Sequence, residues 1–145
     1  MNWYKKSQKL KEVSLKGTLK QTPTGFIYLD IPDDVMNGLF AIIDEDDISK
    51  PPYHLKSFNS VGSHVSVFKE DEVEEKELNV KEIGKEFNFF LGDFKSTNPE
   101  GWDEVDEVYF VQIKSKELED LRKKYNLPKK IDGHEFHITI AIEKA

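Results

Sequence analysis

Two short segments of the chain pair an imidazole with a hydroxyl at one spacing: Gly62-Ser63-His64-Val65-Ser66-Val67 and Phe136-His137-Ile138-Thr139-Ile140. Each reads His-Φ-Ser/Thr-Φ, where Φ is apolar. In a β-strand residues i and i+2 share a face, so each motif presents an imidazole and a hydroxyl side by side while Val65, Val67, Ile138 and Ile140 anchor the opposite face. Two such strands brought together assemble two histidines and two hydroxyls. That set suits phosphate ester chemistry: one imidazole as base, one as acid, and two hydroxyls donating hydrogen bonds to phosphate oxygens. Ser66 and Thr139 read as donors to nonbridging oxygens rather than as nucleophiles, because neither has an oriented base beside it within its motif. Which histidine is the acid depends on how the substrate lies, and the motifs leave it open.

A single copy of the motif would read as an ordinary strand with a satisfied edge histidine. The duplicate is different. With four His, 14 Ser or Thr and 37% apolar residues among 145 positions, chance places two such motifs in a chain on the order of once in a thousand. The pair resembles the two-histidine (2H) phosphoesterase superfamily, which includes LigT-like RNA cyclic phosphodiesterases, relatives of the exonucleases that trim RNA ends, and phage enzymes that degrade cyclic nucleotide immune messengers. The resemblance rests on His64, Ser66, His137 and Thr139, with the histidines 73 positions apart. It implies an α+β fold, bilobal and pseudo-twofold, in which two antiparallel sheets flank a central groove with helices outside. It also implies a reaction that uses these four residues and neither metal nor cofactor.

Composition sets the outer bounds. A chain of 145 residues makes one domain with a single core, and no apolar run approaches the roughly 18 residues that span a bilayer. The start, Met1-Asn2-Trp3-Tyr4-Lys5-Lys6, has no apolar stretch behind it of the kind a secretory signal needs. Zero cysteines exclude disulfides, thiolate metal sites and a cysteine nucleophile. A cytoplasmic monomer is the expectation. The net charge of −7 argues against gripping long duplex nucleic acid, which takes clustered Lys and Arg. Residues 1–20 nevertheless carry six Lys against one Glu, a basic N-terminal arm that reads as a solvated terminus or as a strap over the site.

The elements that must position the motifs follow from pattern. After a turn at Thr22-Pro23-Thr24-Gly25, Phe26 to Ile31 reads as a strand, and Pro32-Asp33-Asp34 opens a helix to about Ile43. Residues 44–60, interrupted by Pro51-Pro52, make a long polar loop that suits a substrate flap. The first motif strand, Ser63 to Phe68, precedes an acidic run, Glu70 to Glu77, that reads as solvated surface. Glu86 to Phe94 and Val105 to Ile113 read as strands, Ser115 caps a helix to about Tyr125, Leu127-Pro128 stops it, and the second motif strand runs from His134 or Glu135 to Ile142. Each half is thus strand, helix, motif strand, giving lobes of about 25–69 and 86–143.

Supporting residues are drawn from the loops. Lys56, Lys69 and Lys130 are the cations able to reach a bound phosphate, and Tyr53, Phe58 and Trp102 the aromatics suited to base stacking, with Trp3 and Tyr4 added if the arm folds over. His54 lacks a hydroxyl partner at i+2. The same residues admit three rival readings: a metal site built from His134-x-x-His137 with His64, a noncatalytic nucleotide-binding module on the same scaffold, and an acidic protein that mimics nucleic acid. The reading favoured is a metal-independent phosphodiesterase acting on a nucleotide or short RNA, at a 2′,3′-cyclic phosphate, a small cyclic oligonucleotide or an RNA 3′ end.

Overall fold

The computed structural model describes residues 14–43, 48–49, 62–98, 105–131 and 133–144. In chain order its elements are β1 (Ser14–Gln21), β2 (Ile27–Asp30), α1 (Asp33–Ile42), β3 (Ile48–Ser49), β4 (His64–Phe68), α2 (Glu70–Glu75), β5 (Glu86–Thr97), β6 (Val105–Lys114), α3 (Lys116–Lys124) and β7 (His137–Lys144). The strands form one antiparallel sheet in the order β3-β7-β6-β5-β1-β2-β4. Although β4 is an edge strand and β7 lies near the other edge, the two are in contact. The sheet therefore curls until the motif strands meet.

The order is symmetric about the β1–β5 ladder, which runs from Ser14↔Phe90 to Thr18↔Glu86. One half is β1-β2-α1-β4 and the other β5-β6-α3-β7, each an antiparallel trio with its motif strand outermost from that ladder. The repeat expected from sequence is present: β5, a strand the sequence predicts, leads the second half, and β1, which it does not predict, leads the first. Where the sequence predicts two sheets, the described strands form one, because β1 joins the halves.

That strand corrects the reading of residues 1–20 as a single basic arm. Residues 1–13 lie outside the described residues, but 14–20 sit at the centre of the sheet. Leu15, Gly17 and Leu19 turn to the core while Lys16 and Lys20 stay exposed. Gly17 is required by close approach: a Cβ there would lie 2.7 Å from Leu29 Cγ and 2.8 Å from the Asp30 carbonyl oxygen.

The helices cover the apolar sheet face. Met36 and Leu39 of α1 and Leu118 and Leu121 of α3 are buried with Leu29, Val65, Phe89, Val111, Ile113 and Ile138. Each such side chain contributes about 1.5–3 kcal/mol of burial. Helix α1 packs on β7, and α3 on β4 and β5, so each reaches the opposite half. As expected, Ser115 caps α3: its Oγ accepts from the Leu118 N–H at 3.2 Å and donates to the Asn88 carbonyl at 2.7 Å. Among the described residues, no helix is long and apolar enough to cross a membrane.

The acidic run from Glu70 is not merely solvated surface. It forms α2, and its Glu72 carboxylate takes a bidentate pair from Arg122 of α3, with Nη1 to Oε1 at 3.0 Å and Nη2 to Oε2 at 2.8 Å. Arg122 is 1% exposed. Its other bonds, Nη1 to the Val67 carbonyl and Nε to the Pro128 carbonyl, are each 2.6 Å, and its guanidinium stands over the Phe68 ring. One buried side chain of the second half thus grips the end of β4 in the first.

Candidate active site

Alternation along the motif strands is as the sequence predicts. Val65, Val67, Ile138 and Ile140 are fully buried, while His64, Ser66, His137 and Thr139 keep contact with solvent. The register places Asp30 opposite His64 and Tyr28 opposite Ser66 in one half, and Gln112 opposite His137 and Phe110 opposite Thr139 in the other. The halves therefore match residue for residue: a polar side chain faces each histidine and an aromatic ring faces each hydroxyl residue. The Tyr28 and Phe110 rings stand edge-on to their histidines, with centroids 5.9 and 5.5 Å away, and Phe26 adds a third ring at 5.7 Å from His64.

Each imidazole is oriented by its own backbone. His64 Nδ1 lies 2.8 Å from the Gly62 carbonyl oxygen and His137 Nδ1 lies 3.4 Å from that of Glu135, in both cases two residues upstream. A carbonyl only accepts, so Nδ1 carries the proton and the ring's lone pair is on Nε2. Gly62 makes this geometry with φ of +75°, a left-handed conformation costly for other residues. Ser63 locks the turn by donating to the Ile31 carbonyl at 3.1 Å.

Both imidazoles titrate below their ordinary value. For His64 burial is the main cause and the charge of His137 adds to it, while the Gly62 carbonyl and Asp30 pull the other way. For His137 burial again leads, the Glu135 carbonyl opposes it, and His134 pushes further down. The ring of His137 remains open to solvent on one side, but surrounding protein removes enough hydration to disfavour its charge.

Between the strands lies a cleft of about 230 Å³. Its polar walls are Ser66 and Lys69 from the β4 side and His134, Glu135 and His137 from the β7 side, over Ile131 and Phe136. Of the four motif residues it takes in Ser66 and His137; His64 and Thr139 lie beside them at i−2 and i+2 on the same strands. Lys130, a sequence candidate, is outside the cleft wall and pairs with Glu135 at 2.8 Å. Tyr53, Lys56, Phe58 and Trp102, with His54, Trp3 and Tyr4, lie outside the described residues. The motif strand begins at His137 rather than at His134 or Glu135, so His134 sits in the preceding turn, bridged to Ile131. Among the described residues, no three His, Asp or Glu side chains gather as metal ligands would.

Sequence reasoning missed Phe26, Tyr28 and Phe110 as partners of the histidines by seeking aromatics on loops. The signal was present: Phe26, Tyr28 and Asp30 alternate with the core residues Ile27, Leu29 and Ile31.

Comparison with known proteins decides the family. The family model 2H-SAK, described as Swiss Army Knife, 2H phosphoesterase domain, matches residues 27–145. The chain belongs to the 2H phosphoesterases. No curated protein and no solved structure matches it. Membership implies a phosphodiesterase-type hydrolase. The matched segment contains both motifs of this 2H phosphoesterase and every described element except β1, the strand that joins its halves.

Proposed function

We propose that the protein is a metal-independent phosphodiesterase that opens a cyclic phosphate or phosphodiester of a nucleotide or RNA end, with His64 and His137 as the acid and base pair. Nε2 of one histidine takes a proton from water as its oxygen bonds to phosphorus. Nε2 of the other gives a proton to the ribose oxygen as the P–O bond to it breaks. Ser66 and Thr139 donate to the nonbridging oxygens, where negative charge grows in the transition state. The two β-β-α-β halves act as lobes, each offering one imidazole and one hydroxyl. The observation that carries the reading is the matched pair of rings, each held at Nδ1 by the carbonyl two residues upstream, which puts the lone pair of both on Nε2.

Each proton transfer is worth about 10²–10⁴-fold in rate. Because burial pulls both imidazoles down, kcat/KM is expected to peak on the acid side of about pH 6.5, the ordinary imidazole value. The test is hydrolysis in excess EDTA of 2′,3′-cyclic nucleotides, RNA ending in a cyclic phosphate, and cyclic dinucleotides. Turnover of one of these, lowered at least about 100-fold in both His64→Ala and His137→Ala, is the expected result. Absence of turnover throughout, or activity that survives either substitution, would sink the proposal.

A further inference from the structure

Two side chains in the cleft have no task in this acid and base scheme. Lys69 follows β4 three residues after Ser66, and His134 precedes β7 three residues before His137; both line the same cleft as those two motif residues. Lys69 is set in place from the interior. Its backbone N–H donates to Glu72 Oε1 at 2.9 Å, and Glu72 is itself held by the buried Arg122. Burial alone would push the Glu72 carboxyl up, but bonds from Arg122 and the Lys69 amide outweigh it and hold the group below its usual value, so it stays a carboxylate able to anchor both.

We propose that Lys69 and His134 form a second anion subsite, adjoining Ser66 and His137, which binds the phosphate next along the strand from the scissile one. An ammonium carries three donors and an imidazole one or two, the complement a phosphate with several acceptor oxygens needs. At about 230 Å³ the cleft is smaller than the roughly 300–1,000 Å³ of pockets that enclose a drug-sized ligand. It suits a stretch of sugar-phosphate backbone rather than a whole nucleotide with its base. Of the opposing charges nearby, Glu135 on the cleft wall is paired with Lys130 at 2.8 Å, and the mainly exposed Asp71 forms only a long ion pair with Lys69 Nζ, at 3.9 Å, which a bound phosphate can compete with. The substrate class that follows carries at least two consecutive phosphates: a linear oligonucleotide or a cyclic di- or oligonucleotide rather than a mononucleotide.

The inference rests on the reading that the scissile phosphate lies at Ser66 and His137, and equilibrium binding separates the two. The ligands are the dinucleotide NpN and its phosphorylated forms pNpN and NpNp. One phosphorylated form is expected to bind about tenfold more tightly than NpN, as one charge-assisted hydrogen-bonding site provides, and which form it is gives the strand polarity. Lys69→Gln and His134→Gln should each reduce that preference and together erase it, while His64→Ala retains it. Equal binding of the three ligands, or a preference that persists in the double variant, overturns the subsite. A preference that behaves as expected without turnover of any substrate leaves the subsite standing and removes the catalytic reading.

Discussion

Around His64 the neighbouring strand supplies Asp30 and Tyr28, with Phe26 stacked on Tyr28 at 5.6 Å; around His137 it supplies Gln112 and Phe110. The positions correspond, since in both halves the residue opposite the histidine is polar and the one two places before it is aromatic. The charges do not correspond. Asp30, itself bonded to Lys20 at 2.9 Å, favours the protonated form of His64, whereas His134 disfavours that of His137. A repeated β-β-α-β unit fixes where the imidazoles stand, and residues outside the motif make them unequal. Equal geometry with unequal surroundings is what a reaction needing one acid and one base requires.

The halves also differ in what holds them together, and there the largest effect is expected. Arg122 belongs to the second half only, and among the described contacts the side-chain bond running the other way, from Lys76 Nζ to the Asn126 carbonyl at 3.2 Å, is exposed rather than buried. Replacing it with Met strands the Glu72 carboxylate and the Val67 and Pro128 carbonyls. Breaking a buried pair in this way costs about 3–5 kcal/mol, to be read from the urea midpoint. Adding Glu72→Gln to Arg122→Met should recover part of the loss by removing the unpaired charge. A cost below about 1 kcal/mol, the range of an exposed pair, would show that the halves are joined by the β1–β5 ladder and helix packing alone.

This asymmetry marks the limit of what could be read from sequence. The motif strands were legible because Val65, Val67, Ile138 and Ile140 impose period two, and the α3 start was legible because Ser115 offers a cap. Strand β1 was hidden, since Lys16 and Lys20 on its open face give a basic tail the same appearance and Gly17 weakens any strand signal. Arg122 sits in the run Leu121-Arg122-Lys123-Lys124 and Glu72 in an acidic run. Each reads as one more surface charge, and only the curl that brings α3 over β4 makes them partners. Pairing across 50 residues leaves no local trace.

An intermediate effect should follow from exchanging the charges around the histidines. Asp30 supports the His64 imidazolium, so Asp30→Asn should move the titration of His64 to still lower pH. His134 opposes the His137 imidazolium, so His134→Gln should move that of His137 upward. Ring signals followed by NMR across pH, assigned with His64→Ala and His137→Ala, report each group separately. On the limb of the pH–rate profile governed by the altered group, the rate should change by roughly two- to fivefold. Movement of both rings by the same amount in Asp30→Asn would show that the two sites share one field and that the inequality of the halves is only apparent.

The smallest effect is expected at the rings themselves. Tyr28 and Phe110 occupy matched positions and contact their histidines in the same edge-on manner, an interaction worth about 0.5–1.5 kcal/mol beyond area burial. Tyr28, however, has Phe26 stacked against it, and Phe26 also touches His64. His64 therefore keeps an aromatic neighbour when Tyr28 is removed, and Phe110 is the one ring set against His137 among the described contacts. If aromatic contact is what steadies each imidazole, Phe110→Leu should lower kcat by no more than about twofold and Tyr28→Leu by less, with Phe26→Leu added to Tyr28→Leu restoring equality. Measured kcat values in the reverse order would mean that the tighter Nδ1 bond of His64 to Gly62, 2.8 Å against 3.4 Å for His137, does not compensate for a lost ring, and that packing rather than the backbone bond orients both histidines.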